Sequence, residues 1–332
     1  MKNDKRESAL TFLSEPLQRH DVSAIADLKT WRLPTSKPYY ETRLGAAYLG
    51  DALELIRQVE NESTDLVCTS PPFALKRKKE YGNVPPEEYV EWFRPFSNEF
   101  WRVLKPSGSL VIHLGGSWNA GIPTKTLYQF KLLIDLVERQ EYKFHLAQDF
   151  YWYNAGKLPS PAEWVNVQRI RAKDAVDFLW WMSKSERPRA DNAKVLKEYS
   201  ESMLNLLRNG YQAKLRPSGH DISEKFSRKH AGSIHPNFLV YSNTDSNSRY
   251  LRMCRDNEVK IHPARWPDRI PQFFIQFLTN RGDKVLDPFG GSNMTGAVAE
   301  SLGRRWMCFE ISEEYLNGSK FRFENDQLLS RK

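Results

Sequence analysis

Cysteine is scarce in this chain: three residues in 332, Cys68, Cys254 and Cys308. None pairs with another as C-x-x-C, so the spacing supports neither a zinc framework nor a disulfide scaffold, and no metal site is expected. Cys68 and Cys308 lie in apolar runs and read as small core residues. Long apolar runs are missing too, and no stretch approaches the ~20 residues that span a bilayer. The opening MKNDKRESAL lacks the apolar stretch of a signal peptide. A cytoplasmic protein with no membrane partner is therefore expected. Internal repeats and low-complexity tracts are absent. Acidic charge is in the minority, with 41 Asp and Glu against 49 Lys and Arg, a formal net charge of +8. That excess shifts the expected partner toward a polyanion, while saying nothing about fold.

What is present is the texture of a globular protein, with 40% hydrophobic and 27% charged residues. The length fits two domains, or one large core carrying an inserted module. Residues 1–38 are mixed and Pro-punctuated, and read as a peripheral arm. From Tyr48 the pattern sharpens. "GDALELIRQV" has Leu53, Ile56 and Val59 near helical spacing, with Asp51 at the helix start. "STDLVCTS" reads as a buried strand. "PPEEYVEWFRPFSNEFWRVLKPSG" is an amphipathic helix entered at Pro85 and Pro86 and left at Pro-Ser-Gly. "SLVIHLGG" is a strand, "KTLYQFKLLIDLVERQEY" a helix, and "HLAQDFYWYN" and "DAVDFLWWMSK" two further strands. This alternation predicts an α/β fold with a largely parallel central sheet. From about residue 189 to 260 the chain turns basic and polar, rich in Ser, Asn and His, with little strand patterning, and reads as an inserted module. The α/β texture then returns, with a helix at "RIPQFFIQFLTN", a strand at "DKVLDPF", a helix at "TGAVAESLG" and a strand at "RRWMCFEIS".

The last of these segments carries a cofactor-type pattern. "KVLDPFGGSNMTGAVAESLGRRWMCFEIS" is a strand, a Gly-containing turn, a helix, and a strand ending in Glu310. Glycines let the backbone approach a ligand closely. A carboxylate about twenty residues past such a turn accepts both hydroxyls of a ribose in dinucleotide folds. The full G-x-G-x-x-G spacing is absent, which favours a nucleoside-type cofactor such as S-adenosylmethionine over one bearing a pyrophosphate. The plain alternative is a tight strand–helix turn at Gly290 and Gly291 with Glu310 as a solvated strand end.

The second pattern is Ser70-Pro71-Pro72-Phe73, where a strand meets two prolines that have no N–H to donate to a ladder. Ligands of open α/β sheets bind beyond the carboxyl ends of the strands, so this corner and "DPFGG" are able to share one crevice. There the Ser70 hydroxyl and a backbone carbonyl offer two fixed acceptors to an exocyclic amine, and Phe73 offers a flat apolar face. Such an amine is a poor nucleophile because its lone pair is delocalised into the ring. Two acceptors on its hydrogens favour pyramidal geometry and direct attack on a sulfonium methyl, which needs no nucleophilic cysteine. A Pro-rich turn leaving a strand is the plain alternative here.

Together these residues resemble the amino-methyltransferases of bacterial restriction–modification systems. That family pairs a strand ending in [Ser/Asp/Asn]-Pro-Pro-[Tyr/Phe] with an Asp-Pro-Phe-x-Gly-type cofactor loop. The order, Ser-Pro-Pro-Phe first, basic segment second, Asp287–Gly291 last, is similar to the permuted beta class, within it to the cytosine-N4 enzymes of PvuII type. "TSPPFALKRKKEYGN", "FYWYNAGKLPSPAEWVN", "RPSGHDIS" and "HPARWPDRIPQFFI" carry the likeness, which runs from about Tyr48 to Phe323. The resemblance implies a Rossmann-like S-adenosylmethionine-dependent methyltransferase fold with circularly permuted motif order and an inserted target recognition domain. It divides the chain into an extension (1–38), a catalytic region (39–188), the recognition domain (189–260) and a cofactor-binding region (261–332). Ser70 and Pro71 would bind the target amine, with Pro72 fixing the corner and Phe73 stacking on the base. Asp287 and Phe289, Gly290, Gly291, Ser292 and Asn293 would line the methionine and adenine pocket, Glu310 would hold the ribose, and Asp51 would sit near the adenine. His262 and Pro263 would open the methionine-side segment. The family's loop often reads Phe-x-Gly-x-Gly, and this one lacks the last glycine.

The implied partner is double-stranded DNA, with a restriction endonuclease as a functional counterpart and no implied physical complex. A ring amine inside a duplex cannot reach a buried cofactor, so base flipping is expected. Lys76, Arg77, Lys78 and Lys79 are candidates for phosphate contacts beside the flipped base, and a solvated loop is the plain alternative. Arg216, Ser218, His220 and Asp221 are candidates for groove readout, and Arg228 and Lys229 for readout or phosphate contact. Serine at the first motif position implies cytosine N4, and similarity through the recognition segment makes CAGCTG the first-guess site. Adenine-N6 or RNA methylation, and a catalytically inactive DNA-binding regulator on the same fold, are the alternatives.

Overall fold

The computed structural model describes residues 29–74, 84–209, 230–243 and 248–323. In chain order the strands are β1 (Tyr40–Glu41), β2 (Gly45–Leu49), β3 (Thr64–Thr69), β4 (Leu104–Leu114), β5 (His145–Tyr153), β6 (Val176–Ser183), β7 (Phe238–Val240), β8 (Lys284–Asp287) and β9 (Arg305–Glu310). The α-helices are α1 (Ala52–Ile56), α2 (Tyr89–Val103), α3 (Tyr128–Glu138), α4 (Glu201–Asn209), α5 (Arg249–Asp256), α6 (Arg269–Leu278), α7 (Met294–Ser301) and α8 (Glu313–Ser319).

The strands form one sheet in the order β1-β2-β9-β8-β3-β4-β6-β5-β7. Five central strands, β2, β9, β8, β3 and β4, pair in parallel. β6 then runs antiparallel between β4 and β5. The sheet is thus largely parallel, as the strand–helix alternation predicts. β6 reverses because no described helix crosses the sheet between β5 and β6, so a loop returns the chain alongside.

Side-chain alternation explains why both faces are covered. Along β4, Leu110, Ile112 and Leu114 enter one core and Val111 the other; along β9, Met307 and Phe309 face one way, Trp306 and Cys308 the other. The first core is closed by α2 and α3. Tyr89, Phe93, Phe96, Phe100 and Val103 recur at helical spacing on α2 and are buried. The second core is closed by α6, whose Ile270, Phe273, Phe274, Phe277 and Leu278 pack with Val298 and Ala299 of α7. Burying a side chain of this size contributes roughly 1.5–3 kcal/mol each, before the entropy of ordering is set against it.

Three local outcomes differ from the sequence reading. α2 passes directly into β4 at Leu104, so Pro106 and Gly108 lie in the strand's opening residues rather than in an exit loop. Trp31 and Leu33, assigned to the peripheral arm, are buried in the first core, and the Leu33 amide donates to Tyr48 Oη at 2.8 Å. β7, inside the segment that lacks strand patterning, adds to the sheet edge beside β5, with Leu239 buried in the second core. At the amino ends of the central strands, buried Asp65 accepts from Lys105 Nζ at 2.7 Å and from the Lys284 amide at 2.9 Å, tying β3, β4 and β8 together. Among the described residues, no helix is long and apolar enough to cross a membrane.

Candidate active site at the carboxyl ends of the strands

The segments that follow β2, β3 and β8, and the carboxyl end of β9, converge on one cavity of about 490 Å³. That is within the ~300–1,000 Å³ usual for small-molecule sites. Ser70, Pro71, Pro72 and Phe73 line it. So do Asp51, His262, Asp287, Phe289, Gly290, Gly291, Ser292 and Glu310. The two sequence patterns therefore meet because β3 and β8 are direct neighbours in the sheet and end on the same side.

At the first corner the strand ladder stops where the prolines begin, and α2 closes over it. Tyr89 Oη donates to the Pro72 carbonyl at 2.8 Å, which holds the corner's far side. Ser70 Oγ lies 2.9 Å from Nδ1 of His113 in β4. The His113 ring meets Phe73 edge-on, with centroids 5.3 Å apart, and packs against Trp152 and Trp266. Its Nε2 faces Asp177 Oδ2 of β6 at 3.8 Å, and the other Asp177 oxygen accepts from Lys157 Nζ at 2.6 Å. Burial works to raise the Asp177 carboxyl, but His113 and Lys157 outweigh it and hold the group below the usual carboxylate range. A methyl on Gly115 would come within 2.7 Å of the Phe73 ring and 3.0 Å of Asp177 Oδ1, so only glycine fits beside this cluster.

At the second corner, Asp287 ends β8. Its Oδ1 accepts from Thr69 Oγ1 at 2.7 Å and the Phe289 amide at 3.2 Å, and its Oδ2 accepts from Thr295 Oγ1 at 2.6 Å. Burial nevertheless pushes the carboxyl up to about 6. Phe289 leans on Phe96 and Trp92 of α2. A methyl on Gly290 would lie 1.9 Å from Cys308 Sγ, and Gly291 has φ +53° with His262 Nε2 at 3.0 Å from where a methyl would sit. The chain follows this route only with glycine. Glu310 accepts from the Gly291 amide at 2.8 Å and the Ser312 amide at 2.9 Å, one to each oxygen. Each oxygen keeps a lone pair for the cavity. Burial raises this carboxyl, opposed by the Ser312, Gly291 and Ile311 amides. Burial pushes the Cys68 and Cys308 thiols well up, so neither is a poised thiolate.

Asp51 lines the cavity while also capping α1, its Oδ1 accepting from the Leu53 and Glu54 amides. Pro263 and Asn293 do not line it. Asn293 is fully buried in a left-handed conformation, with Oδ1 capping α7 at the Gly296 amide and Nδ2 donating to Tyr40 Oη. Lys76, Arg77, Lys78, Lys79, Arg216, Ser218, His220, Asp221, Arg228 and Lys229 lie outside the described residues. Sequence reasoning missed His113, Asp177 and Lys157, and the lining aromatics Trp92 and Trp266. A histidine inside the apolar run "SLVIHLGG" was the one signal available. Among the described residues, no three His, Cys, Asp or Glu side chains gather to hold a metal ion.

A family model described as DNA methylase matches residues 64–321. The chain belongs to this DNA methylase family. It is 49% identical over 299 residues to the Type II methyltransferase M.PvuII of Proteus hauseri, covering 89% of this chain and 88% of that one. It is 31% identical over 285 residues to the Type II methyltransferase M.BamHI of Bacillus amyloliquefaciens, covering 83% of this chain and 56% of that one. Among solved structures, PvuII DNA methyltransferase (cytosine-N4-specific) aligns with a TM-score of 0.72 at 44% identity, covering 88% of this chain and 90% of that one. The sheet of this DNA methylase, with helices on both faces, is therefore the α/β methyltransferase fold.

Proposed function

We propose that this DNA methylase transfers a methyl group from S-adenosylmethionine to N4 of a cytosine flipped out of a short GC-containing palindrome. The observation that carries the reading is the opening of Ser70–Phe73 and of the Asp287–Gly291 loop with Glu310 into one cavity. The cytosine-N4 choice is supported by Ser70 in the first motif position and by the cytosine-N4 specificity of the PvuII DNA methyltransferase, which is 44% identical. CAGCTG is the first-guess site, and protection from a cognate restriction endonuclease the implied purpose.

The residues present fit this cofactor. Gly290 and Gly291 form a cradle that a Cβ would fill, and the buried Glu310 carboxylate has lone pairs left for two ribose hydroxyls. Phe289 and Ser292 would flank the methionine and adenine portions, with His262 on the methionine side and Asp51 near the adenine. When bound, S-adenosylmethionine supplies an electrophilic sulfonium methyl. The Ser70 hydroxyl oxygen and the Pro71 carbonyl accept the two hydrogens of the exocyclic amine, Phe73 stacks on the base, and the amine nitrogen is held pyramidal toward the methyl. Positive charge developing on that nitrogen would be stabilised by the same two fixed dipoles as its new bond to the methyl replaces the methyl–sulfur bond, and the methylated amine would then release one proton to solvent.

The order of the motifs, with the basic segment between them, supports the permuted beta arrangement. Residues 189–260 would then supply target recognition, with Arg216, Ser218, His220, Asp221, Arg228 and Lys229 toward the groove and Lys76–Lys79 toward phosphates. Nucleoside mass spectrometry of DNA incubated with the protein and S-adenosylmethionine tests the reading. N4-methyldeoxycytidine is expected. N6-methyladenine, or no methylated nucleoside together with no calorimetric binding of S-adenosylmethionine, overturns it.

A further inference from the structure

His113 carries no role in the reaction described so far, yet its surroundings are built around it. The ring is enclosed by Phe73, Trp152 and Trp266, and its side chain is only 7% exposed. Its Nδ1 faces Ser70 Oγ at 2.9 Å. Its Nε2 is buried without a hydrogen-bond partner and points at the Asp177 carboxylate, 3.8 Å away, which Lys157 Nζ in turn contacts at 2.6 Å. The side chains of Asp177 and His113 are each more than nine-tenths buried. The Lys157–Asp177 ion pair contributes little net stability of its own, because desolvation offsets the attraction.

The direction of one hydrogen decides what the Ser70 hydroxyl offers the cavity. A serine hydroxyl has one donor hydrogen and two lone pairs, and the hydrogen rotates to suit its neighbours. If that hydrogen pointed into the cavity, it would meet the hydrogens of the target amine and the acceptor role would be lost. A carboxylate beside Nε2 favours the tautomer with the ring proton on that nitrogen, leaving the Nδ1 lone pair for the Ser70 hydroxyl. We propose that His113 is a positioning residue for methyl transfer, its Nδ1 taking the Ser70 hydroxyl hydrogen so that the Oγ lone pairs face the amine, with Asp177 and Lys157 fixing the required tautomer. This rests on the reading of Ser70 as an amine acceptor.

Among the described residues, the charged groups facing the ring are Asp177 of β6 and, beyond it, Lys157 of the β5–β6 segment; Ser70 after β3 presents its hydroxyl, while Phe73, Trp152 of β5 and Trp266 before α6 are uncharged.

Two substitutions separate positioning from packing. His113→Leu fills the space without an acceptor, and His113→Asn replaces Nδ1 with an amide oxygen that accepts. Single-turnover methylation of a cytosine-containing duplex is the assay, with S-adenosylmethionine affinity by calorimetry as the check on folding. Loss of one such oriented dipole costs about 100-fold in rate. His113→Leu is expected to lose about 100-fold in the single-turnover rate with cofactor affinity within twofold. His113→Asn is expected to recover at least tenfold over His113→Leu. The inference is overturned if His113→Leu turns over at the wild-type rate, if His113→Asn recovers nothing, or if both lose cofactor binding in parallel with activity. Wild-type protein that binds the cofactor but yields no methylated cytosine sinks the underlying reading instead, so the two failures are distinguishable.

Discussion

Asp287→Asn is expected to remove from the free protein's stability a contribution that declines as pH rises. The Asp287 carboxyl is 3% exposed and accepts three hydrogen bonds, two from hydroxyls and one from an amide, with no cation among them. Burial therefore dominates and lifts it from 3.8 to about 6. The sign follows from proton binding. Between those two values the folded state holds a proton that the unfolded state has released, so folding is favoured by acid. The contribution is fully present below the unfolded value and is lost as pH rises through the folded one. At about 1.4 kcal/mol per pH unit the whole effect is roughly 3 kcal/mol. About 1.3 kcal/mol of it falls between pH 5 and 7 by the same linkage relation. Asparagine is neutral throughout, and the Thr69 and Thr295 hydroxyls are able to turn and accept from its amide. Urea unfolding of wild type and Asp287→Asn at pH 5, 6, 7 and 8 measures the difference in slope. The comparison cancels other shifted carboxyls, such as Glu310 and Glu300, raised mainly by burial, and Asp177 and Asp135, lowered against burial by their basic and hydroxyl partners. Parallel slopes for the two proteins would refute the assignment of this proton to Asp287.

Ser70→Ala is expected to leave S-adenosylmethionine affinity nearly intact and to lower methyl transfer by about 100-fold or more, because one of the amine's two acceptors is gone; undiminished single-turnover rates would remove Ser70 from the mechanism. Gly290→Ala puts a carbon 1.9 Å from the buried Cys308 sulfur, so the loop must shift, and calorimetry should record at least tenfold weaker cofactor binding; unchanged affinity would show that the loop relaxes without leaving its cradle. DNA binding is expected to weaken steeply with salt, and replacing Lys76–Lys79 by uncharged residues should lower the log–log slope by about one for each phosphate that is no longer neutralised. A flat salt titration of the wild type would reject the phosphate role.

Much of the fold was legible because burial on both faces writes itself into local sequence. "DLVCTS" and "SLVIHL" are continuous apolar runs because the central strands have a core on each side. The two corners were legible for a different reason: prolines and glycines constrain the backbone within a few residues, so their meaning is local. What was not legible depends on pairing between distant strands. His113 reads as one polar residue in a buried strand until β6 arrives antiparallel beside β4 and sets Asp177 against it. The strand–helix alternation did not determine that reversal, since it depends on the β5–β6 segment returning without a crossover helix. Asn293 illustrates the opposite limit. Asparagine suits a ligand loop and a left-handed helix cap equally well, and only the buried Tyr40 hydroxyl beside it shows that its side chain is already spent on the α7 cap.

The same logic bears on why Ser-Pro-Pro-Phe stands where it does. A central strand can end in two prolines only if its neighbours stop pairing there, and β3 pairs with β4 through Thr69 and with β8 through Val67. Beyond that point the carbonyls need other partners. Tyr89 of α2 takes the one on Pro72. The Ser70 side chain turns to His113 instead of the ladder. The corner is rigid because four separate elements, β4, α2, β6 and β8, each hold one part of it, directly or through Asp287 and Asp177. Removing one of those side-chain contacts, as in Tyr89→Phe, is therefore expected to lower the single-turnover rate before it alters the fold.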